Sequence, residues 1–199
     1  MKTSELNNVI ALDIGGVCIQ LRHAESFKYF GVAPQQLPPE FMAAVEGLET
    51  GRVSEREWLD VFREVTGGRF TDEQMIHGWN IIIGGPIPGM VEVLRELALH
   101  AYRLVFFSDT SECHIMKLYH DADFSHLISG AVFSYEVGAR KPGAAMYEAF
   151  EERYGKPCFY LDDKPENVEA GRRHGWESHL FTSPAEFRRS FREKYPHQH

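Results

Sequence analysis

The stretch VIALDIGGV, residues 9–17, decides the fold of this chain. It opens with a continuous apolar run, and we predict a strand over Val9–Ile14. Apolar residues that do not alternate with polar ones are typical of a strand buried on both faces of a parallel sheet. The run is interrupted by Asp13 and is followed by Gly15 and Gly16. Because open parallel sheets bind ligands beyond the carboxyl ends of their strands, we expect Asp13 at a binding edge.

Four more short runs rich in β-branched and aromatic residues follow along the chain: Arg103–Ser108, Ala131–Tyr135, Cys158–Leu161 and Ser178–Phe181. Helical patterns separate the later runs. The alternation of strands with helices predicts a parallel sheet that is covered by helices on both sides. The predicted fold class is therefore α/β, a doubly wound (Rossmann-like) core built on a five-stranded parallel sheet.

The segment 22–85 interrupts this alternation. We predict no strand in it, whereas Ser54–Glu57 and Thr71–Gln74 have the spacing of capping boxes, which begin helices. Glycine and proline cluster at both of its borders. We therefore predict a small α-helical cap over residues 22–85, inserted after the first strand. The α/β core is then formed by residues 1–21 and 86–199.

The composition argues against several classes of protein. The chain has 21 Lys and Arg against 29 Asp and Glu, a net charge of -8, which disfavours binding to nucleic acid. No apolar run approaches the ~20 residues of a membrane span, and the polar N-terminus lacks the apolar core of a signal peptide. We expect a cytoplasmic protein without a membrane or nucleic-acid partner. The sequence does not indicate an oligomeric state.

Acidic, hydroxyl and cationic side chains follow the predicted strands at one edge of the sheet. They are Asp13 after the first run, Ser108–Asp109 at the second, Lys141 after the third and Asp162–Asp163 after the fourth. Carboxylates this close repel one another unless a cation lies between them, and oxygen ligands suit Mg²⁺. With Mg²⁺ bound, Asp13 can attack a phosphoryl group as a nucleophile, while Ser108 and the amides after it hold the phosphate oxygens and Lys141 offsets the remaining charge.

The order and spacing of these motifs resemble the haloacid dehalogenase superfamily. The matching residues are Asp13 to Val17, Ser108, Lys141–Pro142 and Asp162–Asp163. The long interval between the first two motifs is similar to that of members with a small helical cap. Among these, the chain most resembles glucose-1-phosphatase-like bacterial proteins and the phosphatase domain of soluble epoxide hydrolases.

The resemblance implies a role for each of these residues. Asp13 corresponds to the catalytic nucleophile that forms an aspartyl-phosphate, and Ser108 and Lys141 to the phosphate-binding hydroxyl and the charge-balancing lysine. Magnesium ligands are implied at Asp13, at the Gly15 carbonyl, at Asp163, and at Asp162 as a second or outer acid. The implied substrate is a small phosphorylated molecule, and the residues expected to bind it are Ser108, Asp109, Lys141, Trp79 and Asn80. The alternative for Trp79, and the one that we favour, is that it packs the cap onto the core.

Two residues depart from the family pattern. Most phosphatases of the family carry, two places after the nucleophile, an aspartate that protonates the leaving oxygen, and here that place is Gly15. General acid catalysis contributes about 10²–10⁴-fold, so its loss implies a slow enzyme or a leaving group that needs little help. Asp109 stands where relatives often have asparagine, and it adds negative charge beside the expected phosphate site.

Two alternatives to a phosphatase remain open at this stage. A catalytically idle member that binds a phosphorylated ligand or a partner protein is favoured by Gly15 and Asp109. A 2-haloacid dehalogenase also lacks the aspartate two places after the nucleophile. Dehalogenases of this kind need no divalent metal, however, and the pair Asp162–Asp163 argues against that alternative.

Overall fold

A computed structural model describes residues 8–196 of the chain. The strands are β1 (Val9–Leu12), β2 (Ile19–Leu21), β3 (Ile83–Pro86), β4 (Arg103–Ser108), β5 (Ile128–Phe133), β6 (Phe159–Asp162) and β7 (Ser178–Leu180). The helices are α1 (His23–Phe30), α2 (Pro39–Glu49), α3 (Glu55–Val65), α4 (Asp72–Asn80), α5 (Met90–Leu99), α6 (Glu112–Asp121), α7 (Ser134–Val137), α8 (Ala144–Tyr154), α9 (Pro165–Arg173) and α10 (Pro184–Lys194). Short 3₁₀ turns lie at Pro34–Gln36 and Asp123–Leu127.

The core is a five-stranded parallel sheet in the order β5-β4-β1-β6-β7. This confirms the predicted doubly wound α/β fold. Helices connect the consecutive strands of this sheet, for example α6 between β4 and β5 and α8 between β5 and β6. The bounds predicted for the third strand, Ala131–Tyr135, are wrong by two to three residues. In the structure β5 begins at Ile128 and ends at Phe133, and Ser134 and Tyr135 belong to the short helix α7.

Alternate residues of β1 face two different hydrophobic layers. Ile10 and Leu12 pack with apolar side chains of α5, α6 and α10. Val9 and Ala11 face the opposite layer, formed mainly by aromatic residues of α8 and by Trp176. Both faces of the strand are thus buried, which explains its continuous apolar sequence.

The cap helices α1–α4 lie between β2 and β3 and have their own hydrophobic cluster, with Trp58 and Phe62 fully buried at its centre. The two predicted capping boxes are confirmed. The hydroxyl of Ser54 accepts from the Glu57 backbone N–H, and that of Thr71 accepts from the Gln74 backbone N–H. No helix in the described part of the chain is both long and apolar enough to cross a bilayer.

The prediction that segment 22–85 contains no strand is wrong at its end. Ile83–Pro86 forms β3, which pairs antiparallel with β2 at the junction between the cap and the core. A Cβ atom on Gly84 would lie 2.6 Å from the carbonyl oxygen of Gln20, so the close approach of these strands requires glycine. A Gly- and Pro-rich sequence gives no local strand signal, and only pairing with β2 makes this segment a strand.

Candidate active site

The functional side chains meet because β1 lies between β4 and β6 in the sheet. Asp13 follows β1, Ser108 ends β4, and Asp162 ends β6. All of these strand ends point to the same edge, since the strands are parallel. The loop after α7 then brings Lys141 into the middle of the group.

Lys141 is the centre of the site. Its Nζ donates to Oδ1 of Asp13 at 3.0 Å, to Oδ2 of Asp162 at 2.6 Å and to the carbonyl oxygen of Phe107 at 2.8 Å. Its side chain is only 1% exposed. Burial opposes the charge, but the carboxylates of Asp13 and Asp162 outweigh it and raise the pKa of Lys141 above its ordinary value. The residue is therefore a fixed cation.

Asp162 uses both of its oxygens within the protein. Oδ2 accepts from Lys141 Nζ and from the Tyr160 hydroxyl at 2.7 Å. Oδ1 accepts from the Lys164 backbone N–H at 2.9 Å and from Nδ2 of Asn167 at 3.0 Å. Burial disfavours its charge, yet Lys141 and these hydrogen bonds hold the pKa of Asp162 below its ordinary value. The arrangement suits a carboxylate that orients Lys141 and the 162–167 loop, and it leaves little capacity for direct metal binding.

Asp163 has the opposite environment. Its Oδ1 is buried and has no hydrogen-bond partner among residues 8–196. Burial, together with the neighbouring Asp162, raises the pKa of this carboxyl. A buried acceptor without a partner costs about 1–3 kcal/mol, and more when it is charged.

The acidic residues of the site fit a divalent cation. One carboxylate oxygen from each of Asp13, Asp162 and Asp163 lies within 4.8 Å of the others. Lys141 balances only part of their charge, and the unpartnered oxygen of Asp163 adds a ligand atom. Gly15 lines the same cleft, and oxygen donors of this kind are those that Mg²⁺ prefers.

Asp13 is buried at the base of the cleft. Burial raises its pKa from 3.8 to about 6, against the lowering effect of Lys141 and with a further increase from Asp162. A carboxylate that is poorly solvated and partly repelled by a neighbour is a reactive group, and strong perturbation of this kind is common at active sites.

Ser108 lies beside Asp13 at the edge of the cleft and is 3% exposed. The next residue, Asp109, has partners of its own. Its Oδ1 accepts from the backbone N–H of Lys141 at 2.9 Å, and its Oδ2 lies 3.7 Å from Nε of Arg140. The charge of Asp109 is thus directed at the 140–141 loop, which it fixes in place.

The cleft over these residues has a volume of about 210 Å³. One wall is apolar and contains Ile19, Leu21, Trp79, Ile82 and Ile83, and the other parts carry the charged or titratable side chains His23, Glu49, His114, Arg140 and Lys164. Volumes of this order suit small organic ligands.

Trp79 and Asn80, the two cap residues predicted to bind substrate, lie in different places. Trp79 lines the cleft, and its ring stacks on His114 with the centroids 5.1 Å apart. Asn80 lies instead in a separate outer groove together with Arg22, away from Asp13. His23, at the start of α1, also lines the cleft.

Glu49, Arg140 and Lys164 were missed as cleft residues. Arg140 and Lys164 are each adjacent in sequence to a motif residue, and this adjacency could have predicted that they lie in the cleft. Glu49 ends α2 and reaches the site only because the cap folds back over the core, so no local pattern marks it.

Comparison with known proteins agrees with this architecture. A family model described as haloacid dehalogenase-like hydrolase matches residues 8–175. No curated protein matches the chain. A solved structure of a HAD family enzyme from Bacteroides thetaiotaomicron, in complex with magnesium and inorganic phosphate, is similar with a TM-score of 0.77 at 21% identity, covering 87% of this chain and 93% of that chain.

Two further solved structures share the fold. A predicted HAD-like family hydrolase from Porphyromonas gingivalis has a TM-score of 0.70 at 24% identity, covering 86% of this chain and 89% of that chain. An L-2-haloacid dehalogenase from Xanthobacter autotrophicus, with chloropropionic acid covalently bound, has a TM-score of 0.62 at 12% identity, covering 85% of this chain and 75% of that chain. The family match extends from β1 to the end of α9 and includes every residue of the acidic site. The chain belongs to the haloacid dehalogenase-like hydrolases.

Proposed function

We propose that this hydrolase is a Mg²⁺-dependent phosphatase that acts on a small phosphorylated metabolite through an aspartyl-phosphate on Asp13. The observation that carries the proposal is the contrast between the two late aspartates. Asp162 is saturated with hydrogen bonds, whereas Oδ1 of Asp163 is buried and has no partner within the described residues 8–196. A dehalogenase that needs no divalent metal has no use for such an oxygen, and a metal-assisted phosphatase does.

The residues of the site have separate tasks in the proposed reaction. Asp13 attacks the phosphorus atom, and the bond to the leaving oxygen breaks. Lys141 holds the Asp13 carboxylate in place and offsets negative charge as the phosphoryl group is transferred. Ser108 donates to a phosphoryl oxygen. Water then attacks the phosphorus atom, which releases inorganic phosphate and restores Asp13.

Magnesium would be held by Asp13, Asp163 and the backbone carbonyl of Gly15, and it would supply Lewis-acid screening of the phosphoryl charge. The Bacteroides thetaiotaomicron enzyme, which was solved with magnesium and inorganic phosphate, supports this choice of metal and ligand. The narrow space beneath the cap supports a small substrate, because the cap closes over one side of the cleft.

A screen of phosphorylated metabolites, read out as inorganic phosphate with and without Mg²⁺, tests the proposal. We expect Mg²⁺-dependent turnover of at least one small phosphate ester and none by the Asp13→Asn variant. Turnover that persists in excess chelator, or release of halide from a 2-haloacid, would favour the dehalogenase.

An idle binding protein is the second candidate, and the absence of a side chain at Gly15 favours it. It predicts that inorganic phosphate and Mg²⁺ bind in calorimetry while no ester in the screen is hydrolysed. Measurable turnover of any ester that disappears in Asp13→Asn rejects this candidate.

A further inference from the structure

The cleft contains few groups that could deliver a proton to the leaving oxygen. Position 15 has no side chain, and among residues 8–196 the carboxylates that line the cleft are those of Asp13, Glu49, Asp109 and Asp163. Asp13 is the nucleophile in the proposed reaction, and Asp163 belongs to the metal site. Asp109 is engaged with the Lys141 backbone and faces Arg140. Glu49 is the remaining carboxyl.

The end of α2 that carries Glu49 is fixed to the edge of the sheet. The hydroxyl of Ser134, the residue after β5, donates to the carbonyl oxygen of Glu49 at 2.5 Å. The same hydroxyl accepts from the backbone N–H of Thr110, next to the phosphate site, at 2.8 Å. Two residues after Glu49, the chain approaches the core so closely that a Cβ atom on Gly51 would lie 2.3 Å from the Tyr135 carbonyl oxygen. Glu49 is therefore held above the same edge that carries Asp13.

The surroundings of Glu49 favour its protonated form. Its side chain is 18% exposed, and its ion pair with Arg140 is long, at 3.4 Å between Oε2 and Nη2. Arg140 is also shared with Asp109. Burial raises the pKa of Glu49, and the charges of Asp109 and Glu46 raise it further, while Arg140 and Lys164 act in the opposite direction without reversing the shift.

The surroundings of the two histidines of the cleft disfavour their protonated forms. Burial, followed by the charge of Lys164, lowers the pKa of His23. Burial lowers the pKa of His114 to about 4, and its Nε2 is directed at the carbonyl oxygen of Trp79 at 3.3 Å. Burial thus disfavours in both rings the imidazolium form, which carries the proton that general acid catalysis by histidine uses.

We propose that Glu49, supplied by the cap, is the catalytic acid that protonates the leaving oxygen. As the Asp13 oxygen bonds to phosphorus, the bond from phosphorus to the leaving oxygen breaks, and its electron pair takes the proton from the Glu49 carboxyl. The products are an alcohol, the phosphorylated Asp13 and the Glu49 carboxylate. The carboxylate then removes a proton from the water that attacks phosphorus, which releases phosphate and returns Glu49 to its acid form.

This inference rests on the proposed phosphatase function, and a leaving-group series separates the two. The substrates are substituted phenyl phosphates of similar shape, from 4-nitrophenyl to 4-methoxyphenyl phosphate, assayed with Mg²⁺. The variants are wild type, Glu49→Gln and the control Glu46→Gln. Glu46 lies on the same helix, faces solvent and pairs with Arg52, so its variant makes the same change from carboxyl to amide away from the cleft.

We expect Glu49→Gln to lose about 10²–10⁴-fold in rate on the poorest leaving group and much less on 4-nitrophenyl phosphate, which needs little protonation. The plot of log rate against leaving-group pKa should therefore be steeper than for wild type or Glu46→Gln. On the poorest leaving group, the alkaline fall of kcat/KM should also disappear. Equal losses across the series, with an unchanged pH profile, would overturn the assignment and leave Glu49 a merely structural residue. If wild type hydrolyses no member of the series, it is the phosphatase function that fails.

Discussion

A Cβ atom on Gly16 would lie 2.3 Å from Oδ2 of Asp163, and Gly16 has φ +76°. The backbone of the first motif is thus in close contact with the carboxylate that we propose as a Mg²⁺ ligand. Both the left-handed conformation and the lack of a side chain are needed there. The two segments, one after β1 and one after β6, form a single unit.

The first prediction follows from this contact. Gly16→Ala should displace the Asp163 carboxylate and weaken Mg²⁺ binding by about 10–100-fold, which is the range for loss of a group that supports metal ligands. The matched control is Gly31→Ala, because Gly31 also has a positive φ of +65° but has nothing within 4 Å of the added atom. Both variants should lose stability, by about 1–3 kcal/mol each, and only Gly16→Ala should lose Mg²⁺ affinity in a calorimetric titration. Equal Mg²⁺ affinity in the two variants would contradict the assignment of Asp163.

The second prediction concerns the nucleophile. Asp13→Asn should lower kcat on a phenyl phosphate by about 10⁴-fold or more, since a neutral amide does not attack phosphorus and removal of a nucleophile has effects of this size. Beryllium fluoride, which mimics a phosphoryl group bound to a carboxylate, should bind wild type and not the variant. Near-normal turnover in Asp13→Asn would mean that another group is the nucleophile.

The third prediction is that the same substitution stabilises the metal-free protein at neutral pH. In the folded protein Asp13 has a pKa of about 6 against an ordinary value of 3.8, so folding disfavours its ionised form. The cost is absent below about pH 4, grows as the pH rises to about 6, and is complete above that. Asp162, whose pKa is lowered, keeps its stabilising contribution throughout this window and loses it only at lower pH.

Thermal unfolding in the presence of chelator measures this effect. At pH 7 we expect Asp13→Asn to be more stable than wild type by about 3 kcal/mol, on the order of 10 °C in Tm for a chain of this size. The difference should shrink toward zero as the pH falls to about 4. A difference in Tm that stays the same from pH 4 to pH 8 would show that ionisation of Asp13 is not its cause.

The fourth prediction combines Gly15 with Glu49. Gly15 has no positive φ, so its backbone accepts other residues, and the obstacle is the side chain of Leu21, whose Cδ1 would lie 2.9 Å from a new Cβ atom. In the Glu49→Gln background, Gly15→Asp should restore part of the rate on poor leaving groups, because it supplies an acid from the core. Adding Leu21→Ala should increase that recovery. Leu21→Ala alone in the same background is the control, and recovery without the new carboxyl would argue against proton transfer as the missing step.

Much of the site was predictable from sequence. Asp13, Ser108 and Lys141 follow buried apolar strands or the loop after one, and parallel strands place their carboxyl ends at one edge. The apolar segments alone therefore predict the five-stranded sheet and the residues at its edge. The capping boxes of Ser54 and Thr71 likewise predicted helix starts, because capping is a contact between residues three positions apart.

Tertiary structure decided what depends on distant contacts. The two adjacent aspartates, Asp162 and Asp163, look equivalent in sequence. Asp162 is nevertheless saturated by Lys141, Tyr160 and its own loop, while Asp163 has a buried oxygen without a partner in the part of the chain that the structure describes. Pairing alone makes Ile83–Pro86 a strand. Glu49 reaches the cleft through Ser134, 85 residues away. Local sequence sets strands, helices and caps because their interactions are local, whereas the solvation and partners of a carboxylate depend on which surfaces the folded chain brings against it.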